Sequence, residues 1–159
     1  MNAPYLENSR VRLTLLDLTN YLHLSEVAQQ KDLLFYSPSD ISNPENLKTY
    51  VQSAVDEFYH KTAIPFIVFD KLKNAYAGCT RFGFINWKNK VLHIGWTWIG
   101  KEFQGTNLNR HMKFLMLQYT FETLEFEKLN LELMSEICVR ERQLRKLVEN
   151  WKEFYERMS

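Results

Sequence analysis

The sequence has few cysteines and no repeated spacing of metal-binding residues. Its 159 residues include two cysteines, Cys79 and Cys138, and four histidines at scattered positions. These residues are too few and too irregularly placed for a disulfide framework or a zinc site. We therefore expect no bound metal and a reducing environment, which predicts a location in the cytoplasm.

An excess of one charge and a long apolar run are also absent. The chain carries 20 basic and 19 acidic residues, which gives a formal net charge of +1. We therefore expect neither nucleic acid nor an anionic membrane as a partner, and any anion site must be local. A bilayer crossing would need about 18 consecutive apolar residues, and a signal peptide an apolar N-terminal core. Neither pattern occurs.

What the chain does have is ample material for one core. Hydrophobic residues make up 45% of it and aromatic residues 14%, so residues 1–159 are predicted to form a single domain. Alternating apolar patterns predict strands, helical spacing predicts helices, and the order of the two implies an α+β fold with a mixed sheet. The strands are predicted at 10–15, 64–69, 75–86, 91–99 and 128–134, and the main helices after 43 and over 108–124.

One polar turn connects the fourth of these strands to the last helix. It reads "QGTNLN", residues 104–109. A helix N-terminus offers unpaired amides and partial positive charge, so such a turn can bind a phosphate without many basic side chains. The generic nucleotide motifs do not match, because Thr106 stands where a P-loop has its lysine and there is no G-x-G-x-x-G. The alternative is a simple connector between strand and helix.

The surrounding text, "LHIGWTWIGKEFQGTNLNRHMKFLMLQYTFETL", resembles the acetyl-CoA-binding core of the GNAT N-acetyltransferase superfamily. It is most similar to the branch that acetylates ribosomal-protein N-termini, whose typical text is "IGWTW", then "QGTGLN", an apolar helix and "FETL". The resemblance is specific over residues 91–124 and looser over 10–136. It implies the GNAT fold and acetyl-CoA as cosubstrate.

The resemblance also implies roles for two stretches of backbone. The loop amides would hold the pyrophosphate of coenzyme A, and the strand end before the loop would pair with the pantetheine arm. Asn107 departs from the glycine that the family prefers, although asparagine tolerates left-handed backbone angles. The matching loop residues are Gln104, Gly105, Thr106, Asn107, Leu108 and Asn109, and the matching strand residues are Thr97, Trp98 and Ile99.

Acyl transfer to an amine also needs a base and a proton for the departing thiolate. Many relatives have a Glu two residues before the Gly of "IGWTW", and here that position holds His93, which we take as the candidate base on the same strand face as Thr97. A structural histidine is the alternative. Trp96 and Trp98 would line the acyl slot or pack in the core. Arg110, His111 and Lys113 would hold phosphates or be solvated.

The C-terminal tail, residues 137–159, departs from the typical sequence of the family. When the codons available for Gln143 onward are read one base earlier, they can encode "AITKIGGKLEGILRTHV", which resembles the missing segment. We therefore interpret the tail as the result of a frameshift or truncation. Ordinary divergence of the sequence is the alternative. As written, the tail should form an amphipathic helix in place of the last two strands. The strand at 128–134 would then be an uncovered edge that favours a homodimer.

The predicted activity is transfer of an acetyl group from acetyl-CoA to a primary amine. The acceptor would be a protein N-terminal α-amine or a small-molecule amine, and the altered tail would impair the reaction. The alternative is a non-catalytic oligomeric protein that retains the fold.

Overall fold

The computed structural model describes residues 2–30, 41–132, 136–140 and 149. Within these ranges the chain forms a sheet with helices on both faces. The strands are β1 (Leu6–Glu7), β2 (Val11–Leu15), β3 (Ile64–Asp70), β4 (Ala75–Asn86), β5 (Val91–Ile99), β6 (Lys128–Glu132) and β7 (Glu136–Arg140), and the helices are α1 (Ser25–Ala28), α2 (Pro44–Tyr59) and α3 (Leu108–Gln118).

The seven strands lie side by side in chain order. Every neighbouring pair is antiparallel except β5 and β6, which are parallel. A parallel pair needs a long crossover connection, and α3 supplies it. The mixed α+β sheet predicted from the sequence is confirmed.

Alternation along β3 divides the core into two layers. Phe66 and Val68 pack with the buried side chains of α3, whereas Ile67 packs with those of α1 and α2. Both layers contain residues with almost no solvent exposure. The sheet is therefore covered on each face, and its central strands read as nearly continuous apolar runs for that reason.

The helices are amphipathic and of moderate length. α2 has 16 residues and α3 has 11, and a π-helical turn at Tyr119–Thr123 follows α3. Two shorter 3₁₀ turns lie at Tyr21–Leu24 and Lys101–Phe103. Among the described residues, no helix has both the length and the apolar character that crossing a membrane requires.

The uncovered edge predicted at residues 128–134 is wrong. β6 ends at Glu132, and β7 pairs with it in antiparallel register from Lys128 opposite Arg140 to Glu132 opposite Glu136. The chain therefore returns as a hairpin and supplies one strand beyond β6. The predicted amphipathic tail helix lies outside the described residues, apart from Glu149, which is helical.

Candidate functional site

β5 is paired on both sides along its first half. It pairs with β6 from Val91 to Ile94, whereas its pairing with β4 continues to Ile99. Among the described residues, none pairs with residues 95–99 on the β6 side, and we call this open edge of β5 the wedge. An extended ligand could add to this edge of β5 through main-chain hydrogen bonds, as an additional strand does. Thr97, Trp98 and Ile99, predicted to contact the pantetheine arm, lie along the wedge.

A bulge in β5 changes which face its side chains occupy. Thr80 of β4 lies opposite both Trp96 and Thr97, and Trp96 has a φ of 51°. Such an extra residue shifts the alternation by one. Ile94, before the bulge, packs in the α3 layer, whereas Trp98, after it, packs in the layer of α1 and α2. The Trp98 indole is thus part of the core.

His93 and Thr97 consequently lie on opposite faces of the sheet, and the prediction that they share a face is wrong. His93 Nε2 is 3.0 Å from Asn130 Nδ2, and its ring packs edge-on against Phe84 at 5.1 Å. Thr97 Oγ1 instead accepts a hydrogen bond of 2.9 Å from Lys113 Nζ of α3. A simple count of period two cannot reveal the bulge, and that is the reason for the error.

The loop after β5 contains two left-handed residues and leads directly into α3. Gly105 has a φ of 71° and Asn107 a φ of 69°. Gln104 Nε2 donates to Ile99 O at 3.1 Å, which ties the loop to the strand end. Alternation of backbone handedness produces concave arrangements of N–H groups that bind anions, and the helix dipole adds to the attraction. The loop and the α3 N-terminus therefore fit a pyrophosphate.

Asn107 is the residue that precedes α3, and its side chain makes no capping hydrogen bond to the helix among the described residues. The first turn, residues 108–111, contains Arg110 and His111 and no carboxylate. Leu108 is fully buried and anchors this turn to the core. Side-chain capping and acidic charge thus do not compete with an anion at the first-turn amides.

A buried ion pair supports the loop from behind. Arg10 Nη2 lies 3.2 Å from Asp70 Oδ2 and 3.1 Å from Thr106 Oγ1. The Asp70 side chain is fully buried, and the Thr106 hydroxyl donates to Phe103 O at 2.6 Å. Because Asp70 neutralises Arg10, the contribution of Arg10 is to position the loop rather than to attract phosphate by net charge.

The three residues predicted as phosphate ligands or solvated positions lie in different environments. Arg110 is exposed. His111 Nδ1 lies 3.5 Å from Asn8 Nδ2, and burial, with a smaller effect of the nearby Arg10 charge, lowers the pKa of His111. Lys113 is half-buried and points toward the wedge, where it contacts Thr97. Proximity in sequence to the loop therefore does not give these residues a common role.

Sequence reasoning missed a buried arginine on the same face as His93. Arg81 is 5% exposed, its Nη1 is 3.3 Å from Glu57 Oε2, and its guanidinium lies 5.2 Å from the ring centroids of both Tyr50 and Trp96. The signal was present, because Arg81 is the one charged residue in the strand text "AYAGCTRFGFIN". A charge inside a buried strand indicates a paired or functional group.

Cys79 lies in the core and is not a nucleophile at neutral pH. Burial raises the pKa of its thiol to about 12, so the reactive thiolate form is scarcely populated. Among the described residues, no group of three or more His, Cys, Asp and Glu side chains is placed to hold a metal ion. The Cys79 thiol is thus unsuited to form an acyl-cysteine intermediate.

Comparison with known proteins relates the chain to one protein family. The profile of the acetyltransferase (GNAT) domain family matches residues 10–149, whereas no curated protein matches the chain. Among solved structures, the ribosomal-protein-S5-alanine acetyltransferase from Vibrio fischeri has a TM-score of 0.63 at 17% identity, over 80% of this chain and 73% of that one. FdhC, a nucleotide-linked sugar GNAT, has 0.76 at 14%, over 96% and 99%. The microcin C7 self-immunity acetyltransferase MccE, solved with acetyl-CoA and AMP, has 0.68 at 17%, over 89% and 76%.

Proposed function

Because the chain belongs to the GNAT family of acetyl-CoA-dependent N-acetyltransferases, we propose that it acetylates a primary amine, with a protein N-terminal α-amine as the first candidate acceptor. The wedge that β5 opens beyond Ile94 and that ends at the loop 104–109 carries this proposal. A strand edge that leads to a helix N-terminus suits a ligand with an amide-containing arm and a pyrophosphate. A small-molecule amine is the second candidate acceptor.

In this proposal the two predicted stretches of backbone hold the cosubstrate. Residues 104–109 bind the pyrophosphate through their amides, and Thr97, Trp98 and Ile99 pair with the pantetheine arm. Acetyl-CoA, when bound, supplies the activated acyl group. Preorganised backbone donors in a partly water-excluded wedge stabilise the negative charge that forms on the acyl oxygen during transfer.

His93 is the candidate base on the opposite face, where the amine would enter. In the present orientation of the amide, Asn130 Nδ2 donates to His93 Nε2, so the proton of the neutral ring is on Nδ1. His93 can accept a proton only after the amine replaces Asn130 at Nε2. Phe84 and the ion pair of Arg81 with Glu57 lie on the same face and would surround the entering amine.

Similarity to a solved structure supports one choice of acceptor, whereas the oligomeric state and the location are expected from the sequence alone. The similarity to a protein named as a ribosomal-protein-S5-alanine acetyltransferase favours a protein N-terminus as acceptor. A homodimer and a cytoplasmic location stay predictions from the sequence. An uncovered β6 edge can no longer be given as a reason for a homodimer, because β7 pairs with β6.

A ligand titration tests the proposal. Acetyl-CoA at 100 times its Kd should stabilise the folded protein by about 2.7 kcal/mol, which corresponds to a rise in Tm of roughly 5–10 °C for a chain of this size. S-acetyl-pantetheine is the matched control, because it carries the same thioester and arm but no pyrophosphate. It should give a much smaller shift at equal concentration.

Turnover is then measured with peptides that differ only in a free or blocked α-amine, and with small polyamines. Acetylation of the free peptide alone supports the N-terminal acceptor, and acetylation of polyamines alone supports the small-molecule acceptor. No shift in Tm with saturating acetyl-CoA would contradict the proposal and favour the non-catalytic alternative. A shift without acetylation of any amine would identify a binder that does not catalyse.

A further inference from the structure

Lys113 brings a positive charge to the inner side of the wedge. It lies on α3 beside Met112, which is fully buried, and its Nζ donates to Thr97 Oγ1 at 2.9 Å. The Thr97 hydroxyl also lies 2.8 Å from Thr80 Oγ1, which in turn lies 3.7 Å from Met116 Sδ. The ammonium is therefore held toward β5 by a short chain of hydroxyl groups.

Thr97 lies between the predicted phosphate loop and the closed end of the wedge. An arm that leaves the loop 104–109 and follows the edge of β5 toward Ile94 must pass Thr97 and the ammonium beside it. His93 lies beyond this point, on the opposite face of the sheet. The bulge thus leaves His93 and Lys113 on opposite faces of the sheet.

We propose that Lys113 stabilises the departing coenzyme A thiolate through its positive charge, an inference that rests on the proposed acetyltransferase function. The amine nitrogen forms a bond to the acyl carbon, the carbon–sulfur bond breaks, and sulfur keeps the electron pair. The thiolate stays paired with the Lys113 ammonium until it takes a proton from solvent, which also receives the proton lost by the amine, so that the products are an amide and a thiol.

The lysine and the thiol differ in charge at neutral pH. A free thiol has a pKa of about 8.5 and a free lysine about 10.4, so the lysine is charged at neutral pH while the thiolate needs stabilisation. An opposite charge within about 4–6 Å lowers the pKa of an acid by about 1–3. Lys113 should therefore favour bound thiolate over bound thiol by at least about tenfold.

Binding of coenzyme A itself, without an acyl group, gives a readout that does not depend on activity. With wild-type protein, the affinity for coenzyme A should rise about tenfold as pH increases from 7 to 9, and the ultraviolet absorbance of the bound thiolate should appear at lower pH than in free coenzyme A. Acetyl-CoA, which has no ionisable thiol, should lack this dependence. Lys113→Met should remove the dependence for coenzyme A while still binding acetyl-CoA.

Two further variants make the test specific. Lys113→Arg keeps a positive charge at this position, so the thiolate should still be favoured and the dependence on pH should be retained. Lys101→Met removes an exposed lysine next to the loop and controls for the loss of one positive charge. It should keep the dependence on pH.

The outcomes separate this inference from the proposed function. Acetyl-CoA binding by wild-type and Lys113→Met protein, with the same pH dependence for coenzyme A in both, overturns the role of Lys113 and leaves the proposed function intact. Failure of wild-type protein to bind acetyl-CoA overturns both. The Tm of unliganded Lys113→Met protein, compared with wild type, shows whether the variant is folded.

Discussion

Asn107 holds a backbone conformation that most side chains disfavour, at the point where the loop enters α3. Its φ is 69° and its ψ is −1°. A left-handed conformation costs about 1–2 kcal/mol for an ordinary side chain, and only glycine and, to a smaller extent, asparagine adopt it readily. This residue thus gives the loop its left-handed conformation without a glycine at this position.

Substitutions at Asn107 should follow this conformational preference. Asn107→Gly should change the free energy of unfolding by less than about 0.5 kcal/mol, whereas Asn107→Val should lower it by about 1–2 kcal/mol and weaken acetyl-CoA binding. Urea denaturation and ligand titration measure the two effects. Asn109→Val is the matched control at a helical position, where only a few tenths of a kcal/mol are at stake. Equal costs at 107 and 109 would contradict the argument.

His111 should make folding stability depend on pH. Burial, together with the Arg10 charge, lowers the pKa of His111 below its ordinary value of 6.5. As pH falls through about 6.5, the unfolded chain takes up a proton before the folded one does, so stability decreases. The neighbouring groups include the Arg10 guanidinium and the Asn8 amide.

The measurement is the free energy of unfolding between pH 7.5 and 5.5, a window above the range where most carboxylates titrate. His111→Gln should show a flatter dependence of the free energy of unfolding on pH than wild type, because it lacks the His111 imidazole. The other three histidines are present in both proteins, so the two curves differ only through residue 111. Parallel curves for the two proteins would show that His111 does not cause the dependence.

At the residue level, the sequence predicted where the loop lies better than it predicted which face of the sheet a side chain occupies. The loop residues 104–109 lie where a strand-to-helix turn was expected, because glycine, asparagine and an apolar helical pattern define such a turn locally. The relation of His93 to Thr97 was not predictable, because it depends on one bulged residue, Trp96. Arg81 was missed although its charge stands alone in an apolar strand.

At the level of elements, α2 begins with a well-defined cap. Asn43 Oδ1 accepts a hydrogen bond of 2.9 Å from Glu45 N, and Pro44 occupies the first helical position. Proline is suited to that position because its missing N–H would be unpaired there anyway. The same helix carries Tyr50 and Glu57, which contact Arg81 next to the proposed amine entrance.

Asn43→Ala should therefore destabilise the protein by about 1 kcal/mol, and Asn43→Asp should retain nearly all of the stability. For a chain of this size, thermal denaturation should show a fall in Tm of roughly 2–4 °C for the alanine variant. An equal fall for both variants would mean that the side-chain cap does not contribute.

The last strand of the sheet was the least predictable. The pattern "KLNLELM" indicated a strand over 128–134; β6 is described over Lys128–Glu132, residues 133–134 lie outside the described residues, and a further strand starts at Glu136. The text of β7, "EICVR", alternates over too few residues to separate a strand from a helix by periodicity. Pairing with β6 stabilises this segment as a strand, and such a long-range contact leaves little trace in the local sequence.

For the whole molecule, element order predicted the mixed sheet but not its last strand, β7. A helix between β5 and β6 requires a parallel crossover, whereas short turns between β3, β4 and β5 require antiparallel pairs. The same order places the wedge at the parallel pair, where the loop and α3 begin. Hence the position of the candidate site followed from topology, although its side-chain contacts did not.

The two core layers share the strands that separate them, so the whole domain should unfold in one transition. Leu13 lies in the α3 layer and Ile67 in the layer of α1 and α2, and both are almost fully buried. Leu13→Ala and Ile67→Ala should each lower the free energy of unfolding by about 2–5 kcal/mol. Because β3 contributes neighbouring residues to both layers, tryptophan fluorescence and far-ultraviolet circular dichroism should report the same midpoint for each variant. Separate midpoints, or a loss confined to one layer, would show that the two layers unfold independently.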